Sequence, residues 1–113
     1  MPAYNRIDRI SEEVKRELSM IIRDLKDPRL NKAVVSVINV NVTKDLKFAK
    51  AYISVLGKEE EQKDAMDALK SASGFIRKEV GRRINLRNTP EFTFILDNSI
   101  EYGAHINEVL KNL

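Results

Sequence analysis

Hydrophobic positions recur at helical spacing through residues 6 to 25. Ile7, Ile10, Val14, Leu18, Ile21, Ile22 and Leu25 fall within an arc of roughly 120° when each residue turns about 100°. This predicts an amphipathic helix. Asn5 and Asp8 have the spacing of a capping start. Asp27-Pro28 ends the helix, because proline disfavours helical geometry in the residue before it. The opposite face carries Arg9, Arg16 and Arg23 at seven-residue spacing, with Glu12 and Glu13 close by. A surface laced with ion pairs one turn apart accounts for that face more simply than a dedicated binding stripe.

The period then changes. Residues 33 to 42 are rich in β-branched side chains and predict a strand. Residues 43 to 47 read as a hairpin connection, and residues 48 to 56 as the return strand. Ala49, Ala51, Ile53 and Val55 make one apolar face of that strand. Phe48, Lys50, Tyr52 and Ser54 make a mixed one, so only the first is assigned to the core.

Residues 59 to 72 return to helical spacing, with Glu59, Glu60 and Glu61 at the positive end of the helix dipole. Ala65, Met66, Leu69 and Ala72 form the stripe, which resumes after Ser73-Gly74 with Ile76, Val80 and Ile84. A Ser-Gly pair inside a helical pattern is a known cause of a kink. We therefore expect a helix, a bend at Ser73-Gly74, and a second helix to about Asn85. Thr89-Pro90 interrupts, and residues 92 to 96 read as a third strand. Phe92 and Phe94 share a face of it, best explained by core packing. Asn98 and Glu101 have capping-box spacing, and Tyr102, Ile106, Val109, Leu110 and Leu113 share one face, which predicts a last helix. The order is helix, strand, strand, helix, kink, helix, strand, helix. That is an α+β class with a three-stranded sheet and helices on one face.

Composition narrows the function. A chain of 113 residues supports one domain, 1–113. Cysteine is absent, which removes disulfides, thiolate metal sites and thiol catalysis. His105 is the one histidine, so a His-pair metal site is excluded and a Ser-His relay is disfavoured. No metal or other cofactor is expected. The sequence around Asp24, Asp27 and Asp97 shows no acid–base partner with a reason for a shifted pKa, so no enzyme is expected either. No apolar run is long enough to span a membrane, and the first residues lack the apolar core of a signal peptide. A cytoplasmic location is expected, with no membrane and no small-molecule substrate as partner, and a monomeric state. The motifs that cradle nucleotide phosphates are missing, as is the RRM signature.

The net charge of +3 is unevenly spread. Residues 70 to 87 hold six basic groups against one acidic, between stretches that are net acidic. Such a cluster is the footprint of a nucleic-acid binder, or else a solvated helix face that is basic by chance. Its place beside the kink favours binding. The N-terminus of the second helix offers free N–H groups and a positive dipole end, and Gly74 lets a backbone approach closely. Lys78 and Arg82 lie opposite the apolar stripe, Arg77 on its flank, and Arg83 near the core edge, where it can pair or snorkel.

Several segments together resemble the ribosome-binding factor A family, over residues 6 to 113. They include Asp27-Pro28-Arg29-Leu30, the hairpin with Asp45-Leu46 and Ala49 to Gly57, Ala72-Ser73-Gly74-Phe75-Ile76-Arg77, Leu86-Arg87, Pro90-Glu91-Phe92 and Asp97-Asn98-Ser99-Ile100. No one piece is specific, but their order and spacing are. The resemblance implies a KH-like domain of the type II arrangement, in which an Ala-x-Gly kink, matched by Ala72-Ser73-Gly74, replaces the usual G-x-x-G. It implies a non-enzymatic assembly factor that binds the free 30S subunit and assists late 16S rRNA maturation, including 5′-end processing, with a link to growth in the cold. The expected RNA-binding residues are Lys70, Ser73, Gly74, Arg77, Lys78, Arg82 and Arg87, with Arg9, Arg16, Lys44 and Lys47 as a second tier. A general KH-like RNA-binding module, or a domain for an acidic protein partner, are the competing readings.

Overall fold

The first helix, α1, spans Arg6–Asp24 and starts where its cap requires. Asn5 Oδ1 accepts from the Asp8 N–H at 2.9 Å, and Asp8 Oδ2 accepts from the Asn5 N–H at 3.4 Å. A computed structural model describes residues 5–86 and 88–98 of the chain. Along α1, Ile10, Val14, Leu18, Ile21 and Ile22 are buried, while Ile7 and Leu25 pack at the margin. The helix ends at Asp24, with Leu25 already extended, so it stops ahead of Asp27-Pro28, and that pair begins another helix instead. Asp27 caps α2 (Pro28–Asn31), accepting from the Arg29 N–H at 3.0 Å. Proline's fixed φ suits the first helical position. Four residues are too few to show a hydrophobic period, so only the Asp27-Pro28 pair marks α2 in the sequence.

Strands β1 (Val34–Val42) and β2 (Phe48–Leu56) pair antiparallel, and β3 (Glu91–Leu96) lies parallel to β2, which is central. The register shifts between Val37 and Asn39. Before the shift Val35 and Val37 face Val55 and Ile53; after it Val40 and Val42 face Ala51 and Ala49. Strict alternation would place Asn39 and Asn41 on the face of Val35 and Val37. The extra residue returns the valines to the core and leaves both asparagines exposed. The hairpin connection is fastened by Asp45, whose Oδ1 accepts from the Thr43 hydroxyl at 2.7 Å and the Lys47 N–H at 3.0 Å. Leu46 takes a left-handed φ of 61° there and is buried.

Helices α3 (Glu59–Ser71) and α4 (Ser73–Arg83) are separated by Ala72, at φ −88° and ψ 3°. The break thus falls one residue before Ser73-Gly74, and α4 ends at Arg83 rather than Asn85. The hydrogen-bond ladder almost survives it. The Ala72 N–H donates to the Ala68 carbonyl at 3.0 Å, and the Ala72 carbonyl accepts from Ile76 at 2.8 Å. Gly74 sits in the first turn of α4 with no positive φ, so the bend needs no left-handed glycine.

Helices α1, α3 and α4 cover one face of the sheet. Leu18, Ile21, Ile53, Leu69 and Ile76 are fully buried between the layers. Phe92 is buried and Phe94 packs against it, with ring centroids 6.1 Å apart and planes within 14°, so the core reading of this pair holds. The fold is α+β and KH-like, with α2 added to the expected order. The expected last helix, with His105, lies outside the described residues. Its proposed cap, Asn98, is described: Asn98 Oδ1 accepts from the Val55 N–H at 3.2 Å, extending the sheet past β3. Among the described residues no helix is long and apolar enough to cross a membrane.

Candidate nucleic-acid interface

At the break between α3 and α4, Lys70 and Gly74 are exposed and Ser73 is half-buried. No side chain caps the N-terminus of α4. A Cβ added at Gly74 would meet nothing within 4 Å, so nothing in the packing requires a glycine. The first turn of α4 is open to an approaching backbone. Phe75, beside it, is 54% exposed. Sequence reasoning assigned this ring no role, although it stands off the Ile76–Val80 stripe.

The cations along α4 have different attachments. Arg77 is exposed and donates through Nε and Nη2 to the Thr89 carbonyl, both at 3.2 Å. Lys78 is exposed and joins no ion pair among the described residues. Arg82 remains 70% exposed at its side chain but forks onto Glu79, with Nη2 to Oε2 at 2.9 Å. This contact holds the Glu79 carboxyl below its usual range and raises Arg82. Arg83 reaches Glu17 at 3.6 Å and Glu79 at 3.5 Å, joining α4 to α1. It pairs at the core edge, as its position predicted. Arg87 lies outside the described residues.

A second group gathers where the hairpin connection meets α4. Lys44 and Lys47 are exposed. Lys47, Phe48, Arg77, Asn88, Thr89 and Glu91 line one shallow pocket. An adjoining one is lined by Arg6, Ile7, Lys44 and Leu46 among others, and shares Asn88. Arg77 therefore joins Lys47 of the second tier in one pocket, while Lys44 lines the other. Arg6 and Phe48 were not expected there. Arg6 is hidden in a stretch of mixed charge, whereas the mixed outer face of β2 was a usable signal for Phe48.

Arg9 and Arg16 are exposed on α1. The ion-paired surface expected for this helix does not form. Neither these two nor Arg23 reaches Glu12 or Glu13; the ion pairs among the described residues are Arg29–Asp27, Arg82–Glu79, Arg83–Glu17 and Arg83–Glu79. Arg9 and Arg16 thus keep unneutralised charge.

Chemically, the surface presents cations and an open helix start, which suits phosphate. Asp27, Asp45 and Glu79 have lowered proton affinity, chiefly through hydrogen bonds from Arg29, Thr43 and Arg82 respectively. Each such bond fastens a cap, a turn or a helix face. Among the described residues no group of three or more acidic or histidine side chains could hold a metal ion.

The sequence model of ribosome-binding factor A matches residues 6–110. The chain belongs to the ribosome-binding factor A family. A ribosome-binding factor A of Acetivibrio thermocellus is 60% identical over 106 residues, covering 93% of this chain and 85% of the relative. The solution structure of a Thermotoga maritima protein described as a putative ribosome-binding factor A superposes with a TM-score of 0.73 at 33% identity, over 83% of this chain and 89% of that one. A homology model of Thermus thermophilus ribosome-binding factor A, fitted into a cryo-EM map of its complex with the 30S subunit, superposes with a TM-score of 0.63. It is 27% identical, over 78% of this chain and 91% of that one. The chain is thus similar along most of its length to ribosome-binding factors.

Proposed function

We propose that this ribosome-binding factor binds the free 30S subunit and assists late 16S rRNA maturation, including 5′-end processing, without catalysis. Its work is linked to growth in the cold. It acts in the cytoplasm as a monomer, with residues 1–113 as one KH-like RNA-binding domain. The observation that carries this reading is the family match over residues 6–110, supported by the 30S complex of the Thermus relative.

In this reading the start of α4 meets rRNA phosphates. Ser73 and Gly74 give backbone approach, and Lys70, Arg77, Lys78, Arg82 and Arg87 neutralise charge. Lys44 and Lys47 extend the surface at the hairpin, and Arg9 and Arg16 along α1. Phosphate contacts fix position without reading sequence, so specificity comes mainly from the folded shape of the rRNA.

Sedimentation with free 30S subunits, 70S ribosomes and bulk RNA tests the target. Preferential recovery with free 30S is expected; equal recovery with all three favours a general RNA-binding module. Affinity should fall steeply with salt. Reversing Lys78 and Arg82 to glutamate in a folded protein should abolish rRNA crosslinks, and their persistence would refute the proposed face.

A further inference from the structure

Phe48 opens β2 and faces away from the core. Its N–H donates to the Thr43 hydroxyl at 3.1 Å, and its carbonyl accepts from the Thr43 N–H at 2.9 Å. The preceding Lys47 carbonyl accepts from the Glu91 N–H at 2.9 Å, which ties the hairpin to β3. An aromatic ring contributes most to stability when buried. Phe48 sits on a well-fastened backbone and is nevertheless 53% exposed.

The pocket it lines holds two kinds of polar group. Lys47 and Arg77 are cations suited to phosphate, and Arg77 is held in place by Thr89 with its Nη1 protons uncommitted. Glu91 is the opposite: it repels phosphate and accepts from the amino group of a base. The Asn88 amide offers a donor and an acceptor, neither used by another described residue. An aromatic face beside a carboxylate and an amide suits a nucleobase, with flanking cations for its backbone.

We propose that this pocket takes one unpaired nucleotide, its base stacked on Phe48 and its amino edge on Glu91 and Asn88. The inference rests on the reading that this end of the protein binds RNA, and it adds which part of the RNA enters. Adenine, cytosine and guanine carry an exocyclic amino group and uracil does not. The pocket therefore prefers the first three, and Glu91 makes the distinction.

The chain has no tryptophan, so Phe48→Trp places a single fluorescent reporter in the pocket. The probes are single-stranded pentanucleotides of adenylate and of uridylate, with inorganic polyphosphate as a polyanion lacking bases. Quenching by the adenylate oligomer, weaker quenching by the uridylate one and none by polyphosphate are expected. Equal quenching by polyphosphate, or none by the adenylate oligomer, overturns the proposal. Phe48→Leu should lower affinity for the adenylate oligomer about tenfold with an unchanged salt slope. Lys47→Ala should lower that slope by about one. Glu91→Gln should narrow the adenylate–uridylate difference. Unchanged affinity in a folded Phe48→Leu protein also overturns the proposal. Binding of the unsubstituted chain to 30S subunits is measured alongside. If 30S binding persists while the Phe48 variants show no effect, the pocket alone fails; if 30S binding is absent, the broader reading fails too.

Discussion

The Arg77 guanidinium donates through Nε and Nη2 to the Thr89 carbonyl, and so ties α4 to the segment entering β3. A cation anchored this way loses less freedom on meeting a phosphate than an unattached one. Arg77→Lys keeps the charge and loses the two-point grip. It should weaken 30S binding roughly two- to tenfold with little change in salt slope. Arg77→Ala should also lower the slope by about one. Sedimentation across a salt series separates these outcomes, and identical slopes would show that Arg77 neutralises no phosphate.

Two glycines of α4 should respond to alanine with opposite signs. At Gly74 the new methyl meets nothing within 4 Å, so helix propensity should raise stability by up to about 1 kcal/mol. The same methyl stands in the proposed path of the RNA backbone and should weaken 30S binding. At Gly81 the new Cβ would lie 2.6 Å from Thr89 Oγ1. Overpacking of this kind typically costs about 1–3 kcal/mol, and Thr89→Ala should restore most of it. Urea midpoints and a binding assay on each variant test both glycines.

These contrasts show where the chain's pattern was informative. The stripe from Ile7 to Leu25 defined α1 because its seven apolar residues share one phase, and Asn5 and Asp8 supplied its start. The bulge between Val37 and Asn39 was hidden, because valines precede and follow it at alternate positions and the slip appears only in the pairing. The kink was expected from Ser73-Gly74, yet the distortion falls on Ala72, which carries no turn signal. The basic cluster on α4 was legible from charge alone. Its junction with Lys47 was not, since thirty positions separate Lys47 from Arg77 and only the fold brings both to one pocket.

The hairpin connection should be sensitive to acid. Asp45 Oδ1 accepts from the Thr43 hydroxyl and the Lys47 N–H, and these bonds, the hydroxyl first, hold its carboxyl below the ordinary aspartate value. A lowered folded-state pKa contributes stability above the unfolded value of about 4, lost as pH falls through the folded value. Asp45→Asn should therefore cost more at pH 7 than at pH 3. Denaturant midpoints at the two pH values check this, and an equal cost at both would show that the charge plays no part.

Glu79 restrains the basic face. It takes the fork of Arg82 and also reaches Arg83, which keeps a second partner in Glu17. Glu79→Gln removes one negative charge from the centre of the cluster and leaves Arg82 free to meet a phosphate. Binding to 30S subunits should tighten at low salt, and the salt slope should steepen by up to about one. The Arg82 pKa should fall back toward its ordinary value, with no change in charge at neutral pH. Lys78→Gln, on the same face and without an acidic partner, should do the reverse and flatten the slope. If Glu79→Gln leaves both affinity and slope unchanged in a folded protein, Arg82 does not contact RNA, and the interface is then centred on Arg77 and the hairpin lysines.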